Sequence, residues 1–110
     1  MHFDDTIAAI ATPLGEGGIG IVRVSGPAAQ PIGLKIITDM KRKPFPEIKE
    51  RVVYHGLVYD PDRQKPLDEV LFFYLKKPKS FTGEDTLEIQ AHGGMYLLSK
   101  ILELVLNNGA

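Results

Sequence analysis

"TPLGEGGIGIVRVSG", Thr12 to Gly26, decides the fold, because its glycines admit two opposite continuations. Gly15, Gly17 and Gly20 spell G-x-G-x-x-G, the string of a dinucleotide-binding turn. Such a turn joins a strand to a helix, whose N-terminal amides and dipole receive the pyrophosphate. Here the glycines run into "IGIVRVS", Ile19 to Ser25, where Ile19, Ile21 and Arg23 alternate with Gly20, Val22 and Val24. That period of two and its β-branched content predict a strand. Glu16 would put a carboxylate inside the phosphate turn, and no Lys-Ser or Lys-Thr pair completes a Walker-type loop. The string therefore reads as a turn between strands. Glycine there permits positive φ and the close approach of another backbone or a flat ligand. The opposite reading, a piece of a nucleotide-binding oxidoreductase, requires a helix beginning near Gly20.

Outward from this stretch, "TIAAIA" (Thr6 to Ala11) reads as a short buried strand stopped by Pro13. After Gly26, Pro27 suits a first helical position. Ala28, Ala29, Ile32, Leu34, Ile36 and Ile37 predict a helix ending near Met40, with Asp39 near its end and Pro31 and Gly33 disturbing its first turns. Lys41 to Glu50 is a polar loop. Arg51 to Asp60 and Leu67 to Leu75 form a hairpin about the turn "PDRQKP". After a loop from Lys76 to Asp85, "TLEIQAH" (Thr86 to His92) alternates, with Leu87, Ile89 and Ala91 inward and Thr86, Glu88, Gln90 and His92 outward. Gly93-Gly94 turns the chain into the strongest helix, which carries Leu97, Leu98, Ile101, Leu102, Val105 and Leu106 on one face and stops at Asn107-Asn108-Gly109. The order β-β-α-β-β-β-α implies an α+β fold, a mixed sheet of about five strands with two or more helices.

The 110 residues suffice for one domain, and 44% hydrophobic with 25% charged residues is ordinary globular composition. A chain of this length buries roughly 65% of its unfolded surface, enough for one core. The absence of cysteine excludes disulfides, thiolate zinc sites and a cysteine nucleophile within these residues and fits a reducing cytoplasm. The N-terminus has acids where a signal peptide needs basic residues, and no stretch approaches a membrane span. A net charge of -1 argues against a domain that grips nucleic acid by charge alone.

Two charged residues stand out. Arg23 lies in an otherwise apolar strand, either as an edge arginine with its stem on the sheet or as a planar fork of donors for an anion or ligand. Glu88 lies on the polar face of its strand, where an exposed, solvated glutamate is the plain alternative to a ligand-holding one. Ser80, Thr82, Glu84 and Asp85 precede that strand, and His92-Gly93-Gly94 follows it, so polar groups crowd its ends. His92 lacks a partner at metal-ligand spacing and reads as a turn-stabilising or ligand-side residue rather than a metal ligand. The lysines of "YLKKPKSF" read as edge protection or solvated charge, with RNA contact as the alternative.

"DTIAAIATPLGEGGIGIVRVSG" (Asp5 to Gly26) and "SFTGEDTLEIQAHGG" (Ser80 to Gly94) resemble the two signatures of the N-terminal domain of the MnmE (TrmE) family of tRNA modification GTPases. Their order, their separation and the chain length fit that domain. Lys41 to Pro66 carries little of the likeness, and Ala91 stands where many relatives have another small residue or cysteine.

The resemblance implies a cytoplasmic, potassium-dependent GTP hydrolase, using Mg2+, that works with the flavoprotein MnmG on carbon 5 of the tRNA wobble uridine. Residues 1–110 would be its N-terminal domain, similar to the tetrahydrofolate-binding domains of aminomethyl-transfer proteins. That domain binds 5-formyl-tetrahydrofolate or a related one-carbon donor and forms a homodimer. The family's folate contacts transfer to Arg23 and Glu88. The helical and GTPase domains, the C-terminal cysteine motif and a further folate-contacting lysine would lie outside these residues, leaving no catalytic residue and no GTPase activity here. A dimerisation module that binds no ligand is the rival reading.

Overall fold

The computed structural model describes residues 5–11, 19–60, 65–77, 83–92 and 94–110. Six strands and two helices follow in the order β1 (Ile7–Ile10), β2 (Ile19–Ser25), α1 (Ala29–Ile36), β3 (Ile37–Thr38), β4 (Tyr54–Asp60), β5 (Lys65–Leu75), β6 (Thr86–His92) and α2 (Met95–Asn107). The stretch Ile19 to Ser25 is a strand, as its alternation requires, so no helix follows the glycine string. Gly15, Glu16 and Gly17, the turn at 61–64, Ser80, Thr82 and Gly93 lie outside the described residues.

In place of the expected mixed sheet, all the pairs among the described strands are antiparallel, in the order β1-β2-β6-β5-β4-β3. The chain crosses to the far edge through α1, and β6 returns to lie between β2 and β5. The central register sets Gly20, Val22 and Val24 opposite Ala91, Ile89 and Leu87, and sets Val70, Phe72 and Tyr74 against the same three from the other side. These residues share one face, and both helices pack on it. α1 lays Gly33 over Leu87, and α2 lays Leu98 over Gly20. A Cβ at Gly20 would overlap the Leu98 side chain, so this glycine of the fingerprint string serves helix-on-sheet packing rather than a phosphate. Val22, Val24, Leu87, Ile89, Ile101 and Val105 are fully buried in the resulting core.

The expectation of a helix to Met40 is corrected: α1 stops at Ile36, and Ile37-Thr38 is extended and pairs with Val58 and Leu57. Consecutive β-branched residues lose little by extending, and a neighbouring strand supplies backbone partners that a last helical turn lacks. This adds a sixth strand to the five expected. The start of α1 is held from a distance, where Thr6 Oγ1 accepts the Ala28 N–H at 2.9 Å. The hairpin strands also shift, β4 beginning at Tyr54 and β5 at Lys65.

The loop from Lys41 to Glu50 is less polar in its packing than in its composition. Phe45 meets Tyr54 and Phe72 edge-on at 5.4 and 5.5 Å, those two rings stack at 5.2 Å, and Ile48 is buried. In α2 the buried residues are Leu98, Ile101, Leu104 and Val105, whereas Leu106 is 46% exposed. The expected apolar stripe is thus one position out at its C-terminal end. No helix among the described residues is long and apolar enough to cross a membrane.

Candidate functional site

Among the described residues no helix lies on the sheet's other face, and Arg23 and Glu88 both project there. Their Cα atoms are direct cross-strand partners between β2 and β6. Odd-numbered β2 residues and even-numbered β6 residues leave the same face because strand side chains alternate. The pairing joins residues 65 positions apart, and Arg23 Nη2 donates to Glu88 Oε1 at 2.9 Å. Sequence reasoning singled out both residues, and the fold brings them into one ion pair.

Their surroundings correct one expectation. Glu88 is not an exposed-face glutamate: it is only 5% exposed. β6 lies inside the sheet, so Glu88 is crowded by Arg23 on one side and Phe73 on the other. Cross-strand Cβ atoms on one face stand about 4.5–5.5 Å apart, close enough for long side chains to cover a central one. Thr86, also expected outward, is fully buried, and its hydroxyl donates to the Glu84 carbonyl at 3.1 Å. Burying a carboxylate costs free energy unless it is paired and hydrogen-bonded. Here Oε1 has Arg23, and Oε2 accepts from Gln90 Nε2 at 3.3 Å.

Gln90 was legible only as a member of the polar face. Its position two residues after Glu88 was the available signal, since i and i+2 share a face. Apolar residues flank this polar group on the neighbouring strands. Ile21 and Leu71 lie opposite Gln90 on the two neighbouring strands, and Phe73 lies opposite Glu88. Ile7, Ile19 and Leu71 on this face are 64%, 54% and 43% exposed. This face thus carries two paired carboxylates, Glu88 with Arg23 on the central strands and Glu69 with His55 on β5 and β4, with aliphatic and aromatic groups between them. Such a surface suits a flat ligand or a second protein surface.

The residues flanking β6 do separate work. Asp85 ties the start of the strand down: its carbonyl accepts the Gly26 N–H at 2.8 Å, and its carboxylate accepts the Lys77 N–H at 3.0 Å. It also neighbours the Tyr74 phenol, whose pKa is raised by burial and, next, by the Asp85 charge. His92 is exposed at the far end of β6, where its backbone N–H donates to Asp68 Oδ2 at 2.9 Å. Asp39 lies beyond β3, where its carboxylate accepts the Lys41 and Lys43 N–H groups and holds a turn. Among the described residues no group of three or more His, Asp or Glu is placed to hold a metal ion.

Residues 6–110 match the family model described as "GTP-binding protein TrmE N-terminus". A protein of Alkaliphilus oremlandii named tRNA modification GTPase MnmE is 49% identical over 110 residues, covering 100% of this chain and 24% of that protein. Proteins with the same name from Carboxydothermus hydrogenoformans and Thermoanaerobacter pseudethanolicus are 47% and 49% identical over 106 residues. Each match covers 96% of this chain and 23% of the relative. The chain thus spans about a quarter of the length of the relatives it matches.

Proposed function

Because the chain belongs to the family of the TrmE N-terminus, we propose that it is the folate-binding, dimer-forming domain of a GTPase that modifies the tRNA wobble uridine together with MnmG. In this reading GTP hydrolysis, with its potassium and magnesium, belongs to another domain of the same cytoplasmic protein. This domain holds 5-formyl-tetrahydrofolate or a related tetrahydrofolate as one-carbon donor.

The observation that carries the folate assignment is the buried Glu88 carboxylate, held by Arg23 on the helix-free face. A pterin offers adjacent N–H donors on its amino-pyrimidinone edge. A carboxylate has about four lone-pair sites, of which Arg23 and Gln90 take one on each oxygen, leaving one on each for those donors. Arg23 fixes the carboxylate as a charge-paired acceptor, and its own side chain is 34% exposed at the edge of this group. When bound, the folate supplies the one-carbon unit; the residues of this chain bind and orient it.

Titration of the protein with 5-formyl-tetrahydrofolate tests the reading. Binding is expected in the wild type. Glu88→Gln should weaken it roughly 10- to 100-fold, because an amide N–H then faces a pterin donor and a charge-assisted bond worth about 1.5–3 kcal/mol is lost. An unchanged affinity in this variant would remove Glu88 from the site. No binding by the wild type would favour the dimerisation module, to which the exposed Ile7, Ile19 and Leu71 also lend themselves.

A further inference from the structure

We propose that Gln90 is a specificity-determining residue of this site, reading the oxygen at position 4 of a reduced pterin beside the two donors that Glu88 accepts. The inference rests on the folate reading above. Facing a carboxylate, which only accepts, the Gln90 side chain must present its NH₂ group, and that group has two N–H donors. One reaches Glu88 Oε2 at 3.3 Å; the other is available on the helix-free face.

The two carboxylate oxygens therefore have different neighbours. Oε1 is held by Arg23 Nη2 at 2.9 Å from β2, and Oε2 by Gln90 from β6, the strand of Glu88 itself. From Oε1 across Oε2 to Gln90, the face offers acceptor, acceptor, donor. The edge of a 4-oxo pterin offers donor, donor, acceptor: the 2-amino group, N3–H and the 4-oxygen. The two sequences are complementary. The carboxylate reads the 2-amino and N3–H groups, and Gln90 beside it reads position 4. In a 4-amino-4-deoxy pterin N3 carries no hydrogen and position 4 is a donor. Glu88 then loses one donor, and the Gln90 N–H meets another. The change in preference between wild type and a Gln90 variant isolates the part due to Gln90. A site built to hydrogen-bond a group rejects an analogue that leaves its polar atoms unpaired far better than an apolar pocket rejects a change of size.

The experiment compares binding of 5-formyl-tetrahydrofolate with that of its 4-amino-4-deoxy analogue by calorimetry. Wild type, Gln90→Met and Gln90→Glu are each titrated. Gln90→Met keeps the length and removes the donor, so the preference for the 4-oxo ligand should fall about tenfold, chiefly through weaker binding of that ligand. Gln90→Glu replaces the donor with an acceptor and should shift the ratio further toward the 4-amino ligand. The readout is a ratio of two affinities within one variant, so a loss of folded protein cannot imitate it. A ratio within twofold of wild type in Gln90→Met overturns the role of Gln90 while leaving folate binding intact. Failure of the wild type to bind either ligand overturns the folate reading, and this inference with it.

Discussion

Glu88 shows how far a single residue's role depends on what crosses the sheet beside it. Its side of the strand is set by alternation, but its burial goes with its place on a central strand, between Arg23 and Phe73 on the neighbouring strands. This changes the expected cost of replacing it. An exposed Glu-to-Gln change usually stays within about 0.5 kcal/mol. Removing one charge of a buried pair costs about 3–5 kcal/mol where the partner is left fully desolvated. Arg23 is 34% exposed, and glutamine still offers it an acceptor, so Glu88→Gln should cost about 1–2 kcal/mol, between those limits. Urea unfolding of the ligand-free protein measures it, and a change below about 0.5 kcal/mol would mean that the pair contributes nothing to the fold.

At the scale of the element, α2 separates what periodicity gives from what packing decides. Both Leu104 and Leu106 fit an apolar helix, yet Leu104 is 8% exposed and Leu106 is 46% exposed. Leu104→Ala should therefore cost about 2–4 kcal/mol, and Leu106→Ala under about 1 kcal/mol. Equal losses in the two variants would contradict this phase of the helix. The end of β5 makes a second prediction. The Tyr74 phenol has its pKa raised by burial and by Asp85, so the folded state keeps that proton at pH values where the unfolded chain releases it. Its contribution is fully present below the unfolded value of about 10 and is lost as pH rises through the folded value. Stability should fall above about pH 10, and Tyr74→Phe should make that alkaline decline shallower. Denaturation midpoints measured from neutral to strongly alkaline pH would show the difference, and parallel curves for the two proteins would refute it.

For the whole molecule, the asymmetry of the sheet is the main feature. One face is sealed by both helices, while the other presents Ile7, Ile19 and Leu71 around a paired carboxylate. Exposed apolar groups ringing polar ones mark an interaction surface. The proposed homodimer would use this face about a two-fold axis, since an isologous contact needs a surface complementary to itself. Sedimentation equilibrium should show concentration-dependent dimers, and Ile19→Lys should shift the protein toward monomer without altering its circular dichroism. Dimers undisturbed by that substitution would place the contact elsewhere.

Much of this was legible in the chain itself. The bounds of β2 and β6, the α+β class and the strand after the glycine string follow from local spacing, while two motifs mark Arg23 and Glu88 as candidates. Local spacing fixes which face of a strand a side chain leaves, because the pleat is a property of the strand alone. It does not fix which strand lies alongside. The insertion of β6 between β2 and β5, the extension of Ile37-Thr38 into an edge strand, the burial of Glu88 and its bond to Gln90 all depend on neighbours distant in sequence. Those were decided only when the sheet closed over its helices, since solvent exclusion and cross-strand contact are properties of the packed whole.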